Sequence, residues 1–376
     1  MKILILSKTM PAHAMGGMEN HTIELAMGLA KKKHKVAVIT KKHPKNLKYE
    51  RIGGVDIHYV DDETSIRKPL GPNAIEEFKK LNKKWKFDVI HSQSNAGYYF
   101  RFAVKDIPFV ATMHGIASQE IISNINQGLT PSLIPKIIYH FINHTFYTKK
   151  MIAESDAVIA ISDELAHLIP QKFSIANKKV HQVYNGIDTE EFKPMKRKNT
   201  EKVIFTVSTL HKQKGIQNLI KAMRDIKDSK LIIAGEGPYR QELEGLVCEM
   251  GLEKKVVFLG RVENMHLPKY YNRSSMFAIP TIRVEGLPLI ELEAMSCGLA
   301  VVASDIGGIP TAINDGVNGL LVMPGDIEGL ASAIERVLND RKLAEKLGKN
   351  ARATILKKFS REKMVEDTIK VYEKLT

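Results

Sequence analysis

Residues 276–304 read M-F-A-I-P-T-I-R-V-E-G-L-P-L-I-E-L-E-A-M-S-C-G-L-A-V-V-A-S, with a short apolar run at each end. Those runs, 276–279 and 300–303, are rich in apolar and β-branched residues and predict two buried strands. Between them, Pro288 suits a first helical position, because its missing N–H would have no helical partner there. A strand, a helix and a second strand in this order predict one turn of a parallel α/β fold.

The same alternation of apolar runs and amphipathic stretches extends in both directions along the chain. It predicts parallel sheets with helices on both faces. The alternation stops at residues 185–199. There N-G-I-D is typical of a turn, and K-P-M-K-R-K-N is polar and shows no helical or strand periodicity. We therefore predict the α/β class, with two doubly wound, Rossmann-like domains that face each other across a cleft. Strands are expected at residues 2–7, 36–40, 55–59, 88–91, 109–112, 157–160, 180–184, 203–208, 231–234, 256–259, 276–279, 300–303 and 320–322.

The predicted domains comprise residues 1–188 and 189–359, and residues 360–376 form a closing segment. Apolar residues at roughly helical spacing within 361–374 predict an amphipathic helix there. We expect this helix to pack back on the first domain. In open α/β sheets, ligands bind at the carboxyl ends of the strands. The residues that directly follow each strand are therefore the candidates for a binding site.

Glu285 and Glu293 stand at either side of the predicted helix start. The amides of Gly286, Leu287 and Leu289 lie at the positive end of that helix, which favours a phosphate or diphosphate. Two carboxylates beside such an anion site are suited to sugar hydroxyls, so this segment indicates a nucleotide-sugar ligand. An unpaired carboxylate among apolar neighbours is costly, which favours a functional role for Glu293. Glu291, in contrast, is expected to be the solvated acid of the helix.

Other candidates follow strands of both domains. Gly16 and Gly17 precede a helix and allow a ligand to approach the backbone. His114 follows a strand and is suited to a sugar hydroxyl or to proton transfer. Lys214, in H-K-Q-K-G, is suited to the charge of a departing diphosphate. A simple turn, a structural histidine and a solvated basic loop are the alternative interpretations of these three features.

The composition indicates a soluble globular protein. No apolar run reaches the length of a membrane span, and Cys248 and Cys297 fit no metal or redox spacing. We expect a cytoplasmic location. The net charge is +14, and residues 1–105 carry 20 Lys/Arg against 10 Asp/Glu. This basic region predicts either a solvated surface or peripheral contact with an anionic membrane. Nucleic acid is not an expected partner, because aromatic residues do not alternate with the lysines.

The chain resembles glycosyltransferase family 4, the retaining group 1 glycosyltransferases with the GT-B fold. The resemblance is carried by a series of motifs that extends over most of the chain. They are G-G-M-E-N-H-T-I-E-L-A at 16–26, H-K-V-A-V-I-T at 34–40, H-G at 114–115, S-D-A-V-I-A-I-S at 155–162, N-G-I-D at 185–188, K-G at 214–215, I-I-A-G-E-G-P-Y-R at 232–240, V-V-F-L-G-R-V at 256–262 and the 285–298 run. The two glutamates followed by A-M-x-C-G are the specific element.

The resemblance implies retaining transfer of a sugar from a UDP- or GDP-sugar to an acceptor hydroxyl of a lipid, a glycan or a small molecule. It implies no cofactor and no required metal. Glu285, Lys214 and His114 would be catalytic. Donor-binding positions would be Gly16, Gly17, Ser208, Thr209, Lys214, Arg261, Val262, Glu285, Gly286, Leu287, Pro288, Leu289 and Glu293.

One position departs from the family pattern. Thr209 stands five residues before Lys214, where the family usually has Arg. A hydroxyl cannot make the bidentate, charged contact that Arg makes with phosphate. Two alternatives to a transferase stay open at this level, and Thr209 favours the second of them. One is a nucleotide-sugar epimerase or sugar phosphorylase on the same scaffold, and the other is a non-catalytic nucleotide-sugar-binding subunit.

Overall fold

Two separate sheets organise the chain, and each belongs to its own unit. The computed structural model describes residues 1–14, 16–62, 68–116, 134, 138, 147–195 and 201–376. Within them, the first unit extends to Gly186 and is completed by Arg361–Thr376, and the second comprises Ile187–Ser360. The segment 134–147, whose apolar pattern suits a buried helix or a lipid-facing one, lies almost entirely outside the described residues.

The first unit contains an eight-stranded sheet in the order β3-β4-β2-β1-β5-β6-β7-β8. All neighbours are parallel except β3 and β4, which form an antiparallel hairpin. The strands are β1 (Lys2–Leu6), β2 (Lys35–Lys41), β3 (Tyr49–Ile52), β4 (Val55–Val60), β5 (Val89–Gln93), β6 (Phe109–Met113), β7 (Ala157–Ala160) and β8 (Val180–Gln182). Seven of them coincide with predicted strands. The hairpin strand β3 was not predicted, because Y-E-R-I is short, polar and largely exposed.

The helices of the first unit are α1 (Gly17–Lys31), α2 (Pro72–Trp85), α3 (Tyr98–Ala103), α4 (Lys149–Glu154), α5 (Asp163–Phe173) and α12 (Arg361–Glu373). Helix α12 packs on α1, and its buried face includes Met364, Val365 and Tyr372. Arg361 donates to Glu24 on α1 at 2.8 Å. The predicted closing helix is therefore present, and it shares the core of the first unit.

The second unit contains a six-stranded, fully parallel sheet in the order β11-β10-β9-β12-β13-β14. Its strands are β9 (Lys202–Val207), β10 (Ser229–Ala234), β11 (Val256–Gly260), β12 (Met276–Ile279), β13 (Ala300–Ser304) and β14 (Leu320–Val322). Its helices are α6 (Ile216–Ala222), α7 (Arg240–Glu249), α8 (Leu267–Arg273), α9 (Leu289–Ser296), α10 (Ile327–Asn339) and α11 (Arg341–Lys358). All six strands were predicted.

Both sheets have the doubly wound strand order, which confirms the predicted Rossmann-like architecture. In each sheet the order reverses beside the first strand of the unit, between β1 and β5 and between β9 and β12. We call these two places the switch points. Loops that leave a switch point in opposite directions create a crevice at the carboxyl edge of the sheet, where ligands of such folds bind. In the described part of the chain, no helix is long and apolar enough to cross a membrane.

Candidate active site

The switch point of the second sheet brings together two predicted residues that are distant in sequence. Lys214 ends a 3-10 turn after β9, and Glu285 lies in the loop after β12. Lys214 Nζ donates to Glu285 Oε1 at 2.6 Å, and the two side chains are 24% and 15% exposed. Burial would raise the pKa of Glu285, but the positive charges of Lys214 and Arg283 and the hydrogen bonds of Lys214 and Thr281 lower it overall. Glu285 is therefore a carboxylate at neutral pH.

Two glycines fix the backbone around this ion pair. Gly215 adopts φ +71°, and a Cβ there would lie 1.7 Å from the Pro280 carbonyl oxygen. Gly307 adopts φ +62°, and a Cβ there would lie 2.4 Å from the Glu285 carbonyl oxygen. Only glycine fits such close approaches at positive φ. These contacts hold the loops that carry Lys214 and Glu285 in place against their neighbours.

The start of α9 lies directly after Glu285. Pro288 is the N-cap residue and α9 begins at Leu289, so the structure places Pro288 one position earlier than the sequence suggested. Among the described residues, no side chain caps this start. The first turn of a helix leaves its N–H groups without helical carbonyl partners, beside the positive end of the helix dipole. Leu289 thus lies at an amide end suited to an anion, whereas Gly286 and Leu287 precede the N-cap and lie outside the first turn.

Glu293 is buried inside α9 and does not point into bulk solvent. Its residue is 3% exposed, and its Oε2 accepts a hydrogen bond from the Tyr271 hydroxyl at 2.8 Å. Burial, followed by the charge of Glu293, raises the pKa of Tyr271 well above its usual value. Tyr271 therefore stays a hydrogen-bond donor and holds the Glu293 carboxylate in a fixed orientation.

Glu291 contradicts the expectation from sequence. We expected the solvated acid of the helix, but Glu291 is 0% exposed. Neither of its carboxyl oxygens has a hydrogen-bond partner among the described residues. Burial, and then the charge of Glu285, raise the pKa of Glu291 well above its usual value. The reason is that α9 is enclosed on nearly all sides, so it has no solvated face for this residue.

Arg283 and Thr281 belong to the site and were missed in the sequence. The Thr281 hydroxyl lies 3.3 Å from Glu285 Oε1 and from the Gln213 carbonyl oxygen. The Ile282 amide also donates to Gln213 O at 3.0 Å, so the loops after β9 and β12 are tied together. Arg283 is half-buried and contributes positive charge at Glu285. The position of an arginine two residues before Glu285 was the signal that could have identified it.

The remaining donor-site candidates of the second unit follow strands β9 and β11. Ser208 is partly buried, and its hydroxyl donates to the Thr209 carbonyl at 2.9 Å, whereas Thr209 itself is exposed. Arg261 is exposed and Val262 is half-buried after β11, which lies two strands from β9. Ser208, Lys214, Glu285 and Pro288 line one small cavity of about 20 Å³. Arg261, Val262 and Thr209 do not line it.

Gly16 and Gly17 lie at the switch point of the first sheet, where α1 begins. A Cβ on Gly16 would lie 2.5 Å from Glu19 Oε2, so a side chain at residue 16 would displace the Glu19 carboxylate. The Thr9 hydroxyl donates to Glu19 at 2.5 Å and holds this carboxylate. A Cβ on Gly17 would meet no atom of the described residues within 4 Å. The backbone of Gly17 is therefore open to an incoming group.

His114 follows β6 and belongs to a cluster of neutral imidazoles. Its Nε2 donates to Gln93 Oε1 at 2.7 Å, and its ring meets that of His21 edge-on at 4.7 Å. Burial, then the neighbouring His21 and His91, lower the pKa of His114 well below its usual value. A neutral His114 that donates through Nε2 presents Nδ1 as an acceptor. The cluster is thus suited to a sugar hydroxyl and poorly suited to proton transfer near neutral pH.

Comparisons with known proteins identify the family of the chain. Residues 15–191 match the family model of Glycosyltransferase Family 4, and residues 188–354 match that of Glycosyl transferases group 1. An uncharacterized glycosyltransferase of Methanocaldococcus jannaschii is 31% identical over 99% of this chain and 98% of its own length. The N-acetylgalactosamine-N,N'-diacetylbacillosaminyl-diphospho-undecaprenol 4-alpha-N-acetylgalactosaminyltransferase of Campylobacter jejuni is 31% identical over 70% of this chain and 72% of its own length.

Solved structures share the fold along the whole chain. Sucrose-phosphate synthase from Thermosynechococcus elongatus superposes with a TM-score of 0.85 at 24% identity, covering 100% of this chain and 98% of that one. Anabaena HepE in complex with UDP-glucose gives a TM-score of 0.77 at 21% identity, covering 99% of both chains. These likenesses identify the GT-B fold. Together with the matching family models and the near full-length relative, they show that this chain belongs to the group 1 glycosyltransferases of family 4.

Proposed function

We propose that this glycosyltransferase transfers a sugar from a nucleoside diphosphate sugar to an acceptor hydroxyl with retention of anomeric configuration. The observation that carries the proposal is the Lys214–Glu285 pair at 2.6 Å beside the start of α9, which no described side chain caps. Cationic and backbone N–H donors in one place are what a departing diphosphate requires. Anabaena HepE has been solved with UDP and with UDP-glucose, which supports a donor of this class.

The roles of the charged residues follow from their neighbours. As the bond between the sugar and the diphosphate breaks, negative charge develops on the leaving oxygen. Lys214 and the amides at the start of α9 are proposed to stabilise that charge. Arg283 is proposed to supply the positive charge that the family usually derives from an arginine at position 209, since Arg283 already acts on Glu285.

Glu285 is proposed to contact the donor sugar and Glu293 the ribose. The Glu285 carboxylate, which accepts from Lys214 at 2.6 Å, is proposed to stabilise a cation-like sugar. Glu293 is oriented by Tyr271 at 2.8 Å, which is the arrangement expected of an acceptor for paired hydroxyls. Arg261 and Val262 are proposed to flank the base, and Ser208 and Thr209 to line the donor site. In the first unit, Gly17 and His114 are proposed to meet the sugar or the acceptor.

The proposed chemical step balances without an enzymic nucleophile. The sugar–oxygen bond to the diphosphate breaks, and the acceptor hydroxyl oxygen forms a new bond to the same face of the anomeric carbon. The acceptor proton passes to an oxygen of the leaving diphosphate. We propose that no metal is required, because Lys214, Arg283 and the helix start provide the positive charge. Activity is therefore expected to survive treatment with a strong chelator.

Incubation with UDP- and GDP-sugars and a panel of alcohols tests the proposal. We expect a glycoside product whose anomeric configuration, determined by NMR, matches that of the donor. Glu285→Gln is expected to abolish turnover, and the exposed Glu253→Gln serves as the matched control. An inverted product would refute retention. Isomerised sugar nucleotide without transfer would support the epimerase alternative, and tight binding without turnover would support a non-catalytic subunit.

The acceptor and the location are proposed only as classes. The acceptor is an alcohol of a lipid, a glycan or a small molecule, and the Campylobacter jejuni relative is named for a diphospho-undecaprenol acceptor. We propose a cytoplasmic enzyme that makes peripheral contact with anionic membranes through the basic part of the first unit. Cosedimentation with anionic vesicles should therefore decline as salt rises, because exposed charges are screened.

A further inference from the structure

A cavity of about 500 Å³ lies in the first unit, and none of the candidate site residues lines it. Its walls include Lys2 and Lys35, which are the first residues of β1 and β2. The cavity is therefore at the amino edge of the sheet. Gly16 and Gly17 follow the other end of β1, roughly 17 Å away along a strand of this length. The volume falls in the range of small-molecule sites, about 300–1,000 Å³.

Positive side chains dominate the cavity walls. The lining cations are Lys2, Lys33, Lys35, Arg51 and Lys84. Asp56 is the carboxylate among the lining residues, and it is already engaged by Arg51 at 3.7 Å and by the Tyr49 hydroxyl at 2.6 Å. The side chains of the four lysines form no ion pair with any residue that the structure describes. Several cations therefore share one concave space without a matching number of carboxylates.

The ends of two helices account for part of this charge but not for all of it. Helices α1 and α2 end at the cavity, and each carboxyl end carries about half a negative charge. Asp56 contributes one negative charge, and Asp88, which accepts the Lys2 backbone N–H at 2.6 Å, contributes another at the margin. Against five cations, the helix ends and carboxylates leave a surplus of about two positive charges. The amino-terminal ammonium and Glu373 both act on the lining residue His34 and offset each other. A phosphate monoester carries about −1.5 to −2 at pH 7 and would match that surplus.

Trp85 gives the cavity an apolar wall. The indole is half-buried at the end of α2, and its ring packs against Phe87 with centroids 5.4 Å apart. Ala30 and Val36 add further apolar surface. Flat apolar surface next to a group of cations is suited to a ligand that has an organic body as well as an anionic group. A bare inorganic anion would leave this wall uncovered.

We infer that the cavity binds a small phosphomonoester, with its phosphate among the lysines and its organic body against Trp85. This site is separate from the proposed donor site, because the two share no residue and the cavity lies at the opposite edge of the first sheet from Gly16 and Gly17. It is a concave pocket for a small molecule, and a membrane surface would instead require an exposed convex face.

Trp85 is the only tryptophan of the chain, so its fluorescence reports on the cavity directly. We expect ribose 5-phosphate or AMP to change the emission saturably. The variant Lys35→Ala/Lys84→Ala removes two exposed lining lysines and should raise the Kd at least about tenfold, since charge-assisted contacts are lost. Lys79→Ala/Lys105→Ala removes the same charge from exposed positions of the same unit that do not line the cavity. This control should keep the Kd within about twofold, because isolated surface charges contribute little.

Four outcomes would overturn the inference. The first is that neither phosphomonoester changes the Trp85 emission saturably, and the second is that both double variants weaken binding equally. The third is that unphosphorylated ribose changes the emission as much as ribose 5-phosphate does, and the fourth is that only phosphatidylglycerol vesicles change it. The last result would assign the cavity to a lipid surface. Transferase activity is measured in parallel, so that loss of the phosphomonoester site is distinguished from failure of the proposed function.

Discussion

The two switch points share a topology and differ in electrostatics. The second sheet places a charged group there, with Lys214, Glu285 and Arg283 acting on one another. The first sheet has the Glu19 carboxylate at its switch point and, after β6, the neutral His114, which is kept uncharged by burial and by its histidine neighbours. The same strand order therefore supports two kinds of recognition. We propose that the second unit stabilises the charge that develops in the reaction and that the histidines of the first unit bind neutral hydroxyls.

The largest effect should come from removing the charge of the second switch point. Lys214→Ala is expected to lower kcat by about 10²–10³-fold, the usual cost of losing one preorganised donor at a developing charge. The exposed Lys221→Ala on α6 is the matched control and should be near wild type. Steady-state kinetics and a melting curve for each variant check the prediction. If the Lys214→Ala variant folds and keeps a near-normal kcat, the charge at the second switch point has no catalytic role.

A smaller effect is expected from removing His114 in the first unit. His114→Ala should reduce kcat/KM by about tenfold, which corresponds to one hydrogen bond to substrate. Because the pKa of His114 is lowered well below 6.5, the residue stays neutral from pH 6 to 8. The pH profile of the wild type should therefore show no inflection in that window that the variant lacks. An inflection near 6.5 that disappears in His114→Ala would instead make this residue a proton carrier.

Glu291 sharpens the comparison, because it is an acid of the second unit whose pKa is raised by burial and by the charge of Glu285. Its raised pKa means that the folded state holds a proton which the unfolded state releases above pH 4.5, so its contribution to stability falls as pH rises. Glu291→Leu should stabilise the fold by about 1–3 kcal/mol, the cost of a buried polar group without a partner. The gain should be larger at pH 8 than at pH 5. Melting curves at both pH values measure it, and the exposed Glu253→Leu is the control.

The smallest effect should follow from adding charge at position 209. Thr209 is exposed, so Thr209→Arg restores the usual family residue in a solvated setting. Exposed charge contacts contribute about 0.2–1 kcal/mol, so the KM for the donor should fall by no more than about fivefold. Donor saturation curves measure the change. A large loss of affinity would show that the hydroxyl of Thr209 has a positive role of its own.

Sequence patterns predicted the strands well because a buried parallel strand needs a continuous apolar run. The hairpin strand β3 has no such run, since Tyr49–Ile52 is held by pairing to β4. Lys214 and Glu285 were predicted individually. Their contact was not, because 71 residues separate them and no local pattern encodes the distance. Glu291 was misassigned because helical periodicity locates a solvated face only when a helix has one.

The return of helix α12 to the first unit has a consequence for biosynthesis. His91, in the middle of the first sheet, forms a hydrogen bond with the Tyr372 hydroxyl at 2.5 Å, across 281 residues of chain. During translation, β1 to β8 leave the ribosome well before residue 372 exists. Domains generally fold as units in the order of synthesis. The first unit therefore lacks α12 until the second unit has been synthesised, and α1 stays uncovered in that interval. A nascent chain of this kind should depend on chaperones until α12 has been synthesised.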